Sequence, residues 1–125
     1  MVAEENMITQ FMLVKMLKDW NLKVSVADNG NIALERLKVE DYDLVLMDIH
    51  MPGQNGYQVA RAIRMDLEKS KRSVPIISLS AAAYEHEQKE ALSSGMNDVL
   101  SKPFEPHELH IKITKLLNGK AKKAT

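Results

Sequence analysis

Three carboxylates, a hydroxyl and an ammonium fall where buried strands of this chain would end: Glu4, Glu5, Asp48, Ser80 and Lys102. Asp48 is the centre of the set. It follows the apolar run Leu44-Val45-Leu46-Met47 and precedes Pro52, Gly53, Asn55 and Gly56, a dense group of turn formers. A short continuous apolar run suits a strand buried on both faces, so Asp48 is an acid where such a strand surfaces into a loop. Carboxylates gathered from two strands make an oxygen-rich site of excess negative charge. Such a site is costly unless a hard divalent cation such as Mg2+ occupies it. The Asp48 carboxylate could then act as a nucleophile on phosphorus, giving an acyl phosphate. Ser80 could hydrogen-bond one phosphoryl oxygen and Lys102 could pair with another as a flexible point charge. Catalysis would rest on positioning and electrostatics. Singly, each residue has a plainer reading: a solvated acidic pair, a turn serine, a surface lysine. The chemical reading rests on their joint placement.

That placement requires a particular succession of elements. Residues 1–3 are a very short apolar start. Asn6 suits an N-cap for a helix from 7 to about 20, and Ile8, Met12, Met16 and Trp20, with Leu13 and Leu17 beside them, predict its buried face. Residues 22–27 alternate and are β-branched, which predicts a strand. After the turn 28–30 comes a helix over 31–40, with Ala33, Leu34 and Leu37 inward. The central strand follows at 43–47, then a helix over 57–69 with Val59, Ile63 and Leu67 on one face. A strand is predicted at 74–79, with Pro75 near its start. A helix follows at 84–94, closed by Gly95 and poor in apolar residues. A last strand at 97–101 precedes a helix from Pro106 to about 118. Strict β-α alternation implies a five-stranded parallel sheet with helices on both faces, and all strand carboxyl ends on one edge. Ligands of open α/β sheets bind at that edge.

The 125 residues suffice for one domain with a buried core, and 45% are hydrophobic. Lys+Arg and Asp+Glu number 17 each, which gives no pointer to nucleic acid or an anionic membrane surface as partner. Cysteine is absent, which excludes disulfides and thiolate metal sites and fits a cytoplasmic location. No run approaches membrane-spanning length, and no leader is legible in a start that is acidic by Glu4. The domain is expected over residues 1–118, with a disordered polar tail at 119–125 carrying Lys120, Lys122 and Lys123.

The stretches V-A-E-E-N, M-D-I-H-M-P-G-Q-N-G, P-I-I-S-L-S-A and S-K-P-F, in this order and spacing, resemble the receiver domain of two-component response regulators. The resemblance spans residues 1–118. It implies a flavodoxin-like doubly wound sheet of order 2-1-3-4-5. It further implies that Asp48 accepts a phosphoryl group from the phosphohistidine of a histidine kinase or histidine phosphotransfer protein, or from small phosphodonors. By the same resemblance Ser80 is the switch hydroxyl and Lys102 the family's lysine. Glu5 matches the main acidic Mg2+ ligand, Glu4 acts beside it through water, and the His50 main-chain carbonyl is a further ligand. Lys102-Pro103 would be a cis peptide. The wording E-E-N-x-x-x-Q, with S-G-M-N-D-V-L-S-K-P-F, is closer to receivers of hybrid sensor kinases than to those of DNA-binding regulators. The clipped first strand suggests a domain cut from a longer polypeptide, or an engineered Met in place of a few lost residues.

Two positions depart from the family. Glu5 stands where Asp is usual, moving the carboxylate outward by ~1.5 Å. Val99 stands where an aromatic switch residue is usual; Tyr84 could substitute, but its favoured reading is a half-buried packing residue. An alternative reading is therefore a receiver-like docking module that does not switch by phosphorylation. A phosphatase or ATPase with an aspartyl-phosphate intermediate fits less well, because such enzymes place a second Asp where His50 stands. The His50 side chain could steer a hydrolytic water or simply face solvent. If the domain switches, phosphorylation is expected to draw Ser80 toward Asp48 and to move residues 81–83 and the weakly anchored fourth helix. The partner surface would be that helix, the fifth strand and the last helix.

Overall fold

The computed structural model describes residues 1–80, 85–102 and 104–124, with side chains for all of these except 85, 86 and 119–124. Ten elements alternate without exception: β1 (Val2–Ala3), α1 (Met7–Asp19), β2 (Val26–Ala27), α2 (Gly30–Val39), β3 (Val45–Asp48), α3 (Gly56–Asp66), β4 (Ile76–Ser80), α4 (Glu85–Ser93), β5 (Asp98–Ser101) and α5 (Pro106–Ala124). The five strands form one sheet of order β2-β1-β3-β4-β5, and every pairing is parallel. This is the flavodoxin-like architecture expected from the alternation and the resemblance.

Side chains alternate across a strand, so each strand feeds two cores. Ala3, Ala27, Val45, Met47 and Ile76 pack under α2 and α3, against Ala33, Leu37, Val59, Ala60 and Ile63. Val2, Leu46, Ile77, Leu79 and Leu100 pack under α1 and α5, against Leu13, Leu17, Leu109 and Ile113. The central run is apolar throughout because neither of its faces meets water.

Local signals set the helix starts. The Asn6 side chain accepts from the Ile8 and Thr9 amides at 2.9 and 3.0 Å, and Asn29 caps α2 in the same way. Asn55 and Gln58 form a reciprocal capping box at the start of α3. Arg64 joins α3 to the ends of β4, α4 and β5. It donates to the carbonyls of Gly95, Arg72 and Val74 and to Asn97 Oδ1, at 2.5–2.9 Å. Gly95 closes α4 at φ 106°, a conformation that favours glycine, and a Cβ there would meet the Arg64 Cγ at 2.6 Å.

Several expectations need correction. The buried stripe of α1 is Leu13 and Leu17, with Met16 and Trp20 half-buried, whereas Ile8 is 73% exposed and Met12 is also exposed. Met7 and Phe11 join them on the outside. The 22–27 strand is reduced to Val26–Ala27, because β2 is an edge strand whose one neighbour, β1, is only two residues long. Gly119 does not end the last helix. The backbone of α5 continues to Ala124, since alanine and lysine are strong helix formers and C-terminal lysines complement the helix dipole. The proposed cis peptide at Lys102-Pro103, the loop 81–83 and Tyr84 lie outside the described residues.

Candidate functional site

Strand parity assembles the site. Val2, Leu46 and Leu100 face α1 and α5, and the residues two positions on are Glu4, Asp48 and Lys102. Alternation therefore delivers these three from β1, β3 and β5 to one place at the carboxyl edge of the sheet. Glu4 is fully buried and Asp48 is 5% exposed. Lys102 Nζ donates to Glu4 Oε1 at 2.8 Å and stands 3.7 Å from Asp48 Oδ2. The Lys102 backbone is held by its N–H, which donates to the Ser80 carbonyl at 2.6 Å. Asp48 Oδ1 accepts from the His50 amide at 3.2 Å.

Beneath this loop α3 begins at Gly56, whose amide donates to the Ile49 carbonyl at 2.9 Å. A Cβ at Gly56 would come within 2.5 Å of the Asp48 carbonyl oxygen and 2.9 Å of Ile49 Cα. Both are backbone atoms that cannot yield, so only glycine lets the helix start this close to the acceptor strand.

Two carboxylates and one ammonium share this pocket. Burial pushes the Glu4 carboxyl up to about 7; the neighbouring Asp48 carboxylate pushes the same way, and Lys102 pulls against both. Glu4 Oε2 is buried with no hydrogen-bond partner. A buried acid with an orphaned oxygen, facing a second acid, is the donor set a hard divalent cation fits. Glu5, by contrast, is exposed. Among the described residues no three acidic or imidazole side chains converge as a ready-made metal cluster. The structure thus brings Glu4, Asp48 and Lys102 together, and leaves Glu5 and the exposed His50 side chain at the rim.

Ser80 has the opposite parity. It is in register with Ile76, which packs on the α2–α3 side, and its hydroxyl donates to Glu87 Oε2 of α4 at 2.7 Å. It is fully buried. Val99 is half-buried against the same core. His107 and His110 are exposed, and His110 lies against Trp20 with ring centroids 4.7 Å apart. Sequence reasoning passed over Glu87 because a charged residue on a polar helix looks like a solvated face. It also assigned too many apolar residues of α1 to the core; Met7, Ile8, Phe11, Leu13 and Leu17 span a wider arc than one helix face can bury, which is the legible sign of a second, outward stripe.

Comparison with known proteins agrees with this geometry. The family model for the response regulator receiver domain matches residues 1–114. The sensor histidine kinase GacS of Pseudomonas protegens is 37% identical over 108 residues, covering 86% of this chain and 12% of the kinase. The chain therefore spans about an eighth of that relative's length. The receiver domain of sensor histidine kinase PA1611 from Pseudomonas aeruginosa, solved with a magnesium ion in its active site cleft, superposes with TM-score 0.86 at 32% identity, covering 94% of each chain. A chain of the Saccharomyces cerevisiae co-crystal of the histidine phosphotransfer protein Ypd1 and the receiver domain of Ssk1 matches with TM-score 0.87 at 30% identity, covering 96% of this chain and 88% of that one. The fold and site define a signalling domain of two-component systems. The chain belongs to the response regulator receiver domain family. Its curated relatives include receiver regions of hybrid sensor histidine kinases, in line with the wording of its motifs.

Proposed function

We propose that this receiver domain accepts a phosphoryl group from a phosphohistidine onto Asp48 and changes its partner-binding face in response. The observation that supports this most strongly is the buried Glu4–Lys102–Asp48 cluster with its orphaned Glu4 oxygen. In the reaction an Asp48 oxygen forms a bond to phosphorus as the P–N bond of the donor imidazole breaks, and the imidazole takes a proton from solvent. Lys102, already within 4 Å of both carboxylates, moves its charge toward the incoming phosphoryl oxygens. The rigid β3 end and the Gly56 approach fix the nucleophile. Glu4, Glu5, Asp48 and the His50 carbonyl are the residues that would hold Mg2+, which would screen the carboxylates from the phosphoryl charge. The domain acts on itself rather than turning over a substrate, with a slow return to the free acid.

The exposed apolar side chains Met7, Ile8, Phe11 and Met12 lie on α1, which begins three residues after Glu4. We take this stripe as a docking face for a partner presenting its phosphohistidine to Asp48; a histidine phosphotransfer protein is the partner in the Ypd1 co-crystal neighbour. The readout face would be α4, β5 and α5, where Leu92 and Ile111 are exposed. No described helix is long and apolar enough to cross a membrane. By its membership of the receiver family we propose a cytoplasmic receiver unit over residues 1–118.

Incubation with acetyl phosphate and Mg2+ followed by intact mass tests the proposal. Wild type gains one phosphoryl group and Asp48→Asn gains none. An unchanged wild-type mass would favour the alternative, a docking module that does not switch.

A further inference from the structure

We propose that Glu87 is a positioning residue. In the unphosphorylated protein it holds the Ser80 hydroxyl on the α4 side of the sheet, away from the acceptor carboxylate, and so ties α4 to the end of β4. This inference rests on the phosphoacceptor reading above and adds a restraint that phosphorylation must release.

The argument is one of proton inventory and parity. A serine hydroxyl has a single proton to donate. Among the described contacts the hydroxyl donates to Glu87 Oε2 at 2.7 Å, and a proton so engaged is not available to a phosphoryl oxygen at Asp48 until that bond breaks. Strand alternation aims Ser80 to the face of Ile76, while Asp48, Glu4 and Lys102 follow residues of the other face. Ser80 must therefore turn across the strand end to reach Asp48.

Among the described side chains of α4 only Ala91 is fully buried. The Arg61–Glu90 ion pair at 2.8 Å joins two half-exposed side chains and contributes little. The Tyr57 hydroxyl approaches the Glu87 carbonyl at 3.5 Å, a long hydrogen bond. The Ser80–Glu87 bond is charge-assisted and half-buried, and such bonds are shorter and stronger than neutral ones. A phosphoryl group on Asp48 is a competing acceptor of higher charge. Once Ser80 turns to it, the Glu87 carboxylate faces a like charge with its former donor gone, and α4 is freed. The hold and the release are two states whose balance phosphorylation shifts.

The test uses Glu87→Ala, Glu87→Gln, Ser80→Ala and the Glu87→Ala/Ser80→Ala pair. Affinity for beryllofluoride with Mg2+ is measured by calorimetry, and amide exchange of residues 87–93 is measured with no metal or mimic present. Glu87→Ala is expected to tighten beryllofluoride binding by about tenfold, the ratio one charge-assisted hydrogen bond is worth. Glu87→Gln, which keeps a neutral acceptor, falls between Glu87→Ala and wild type. Glu87→Ala and Ser80→Ala both lose α4 protection, and adding Glu87→Ala to Ser80→Ala changes neither readout further. An equal tightening with and without Ser80, or unchanged affinity and protection in Glu87→Ala, overturns the proposal. Failure of wild type to bind beryllofluoride overturns the phosphoacceptor reading and the release that depends on it, whereas the exchange data alone judge the Ser80–Glu87 tie.

Discussion

Replacing Glu4 by glutamine should make the protein more stable relative to wild type as pH rises, although the substitution removes an ion pair. Glu4 is fully buried, and its carboxyl is raised from 4.5 to about 7 by burial and by Asp48. The folded state therefore binds this proton more tightly than the unfolded chain does. The resulting stabilisation is fully present below pH 4.5 and is lost as pH rises through about 7. A displacement of that size corresponds to about 3 kcal/mol between the two limits. Glutamine mimics the protonated acid and has no proton to lose.

The Met1 amine complicates the raw profile. Burial depresses it from 8.0 to about 6, so its contribution runs the other way, growing as pH rises from 6 to 8. The quantity to compare is therefore the stability of Glu4→Gln minus that of wild type, from which Met1 cancels. Urea unfolding without Mg2+ at pH 5, 6, 7 and 8, followed by the single tryptophan, Trp20, supplies it. Transition midpoints and slopes should be used rather than amplitudes, because the His110 imidazole lies against the Trp20 ring and affects its emission. The difference is expected to climb across this range by up to about 3 kcal/mol. A difference that stays flat, or falls with pH, would refute the reasoning that Glu4 is a buried acid opposed by Asp48.

Phe11→Asp should slow phosphotransfer from a phosphohistidine protein at least tenfold yet leave acetyl phosphate labelling unchanged, because Phe11 is 73% exposed and belongs to neither core; the unfolding free energy should change by less than about 0.5 kcal/mol. Gly56→Ala should cost about 1–3 kcal/mol in urea unfolding and slow labelling by small phosphodonors, since the added Cβ collides with backbone of the acceptor strand. Arg64→Ala should cost about 3 kcal/mol in the same assay, because it leaves the carbonyls of Gly95 and Val74 and Asn97 Oδ1 without this donor.

What could be seen in advance followed from periodicity. The run before Asp48 is apolar because its strand is buried on both faces, so the strand and the acid at its end were readable, whereas the order of the strands in the sheet rested on the family resemblance. Adjacent acids such as Glu4 and Glu5 look alike in a sequence. Parity separates them: Glu4 continues the face of Val2, as Asp48 continues that of Leu46 and Lys102 that of Leu100, while Glu5 is out of phase and exposed. The same rule, applied to Ser80, sends its hydroxyl toward α4. The α1 face was misjudged for a related reason. Ile8 and Met12 repeat at helical spacing as well as Leu13 and Leu17 do, and only the position of the sheet decides which stripe is covered. The ties of Ser80 to Glu87 and of Arg64 to three carbonyls have no local pattern, since they join residues brought together only by the fold.

The most direct test of the account is the position of the acyl phosphate. After labelling with acetyl phosphate and Mg2+, borohydride reduces an aspartyl phosphate to homoserine, which marks the labelled residue in a peptide digest. The account predicts homoserine at position 48 and at no other aspartate. Label at another residue, or none under conditions that label a control receiver domain, would contradict it.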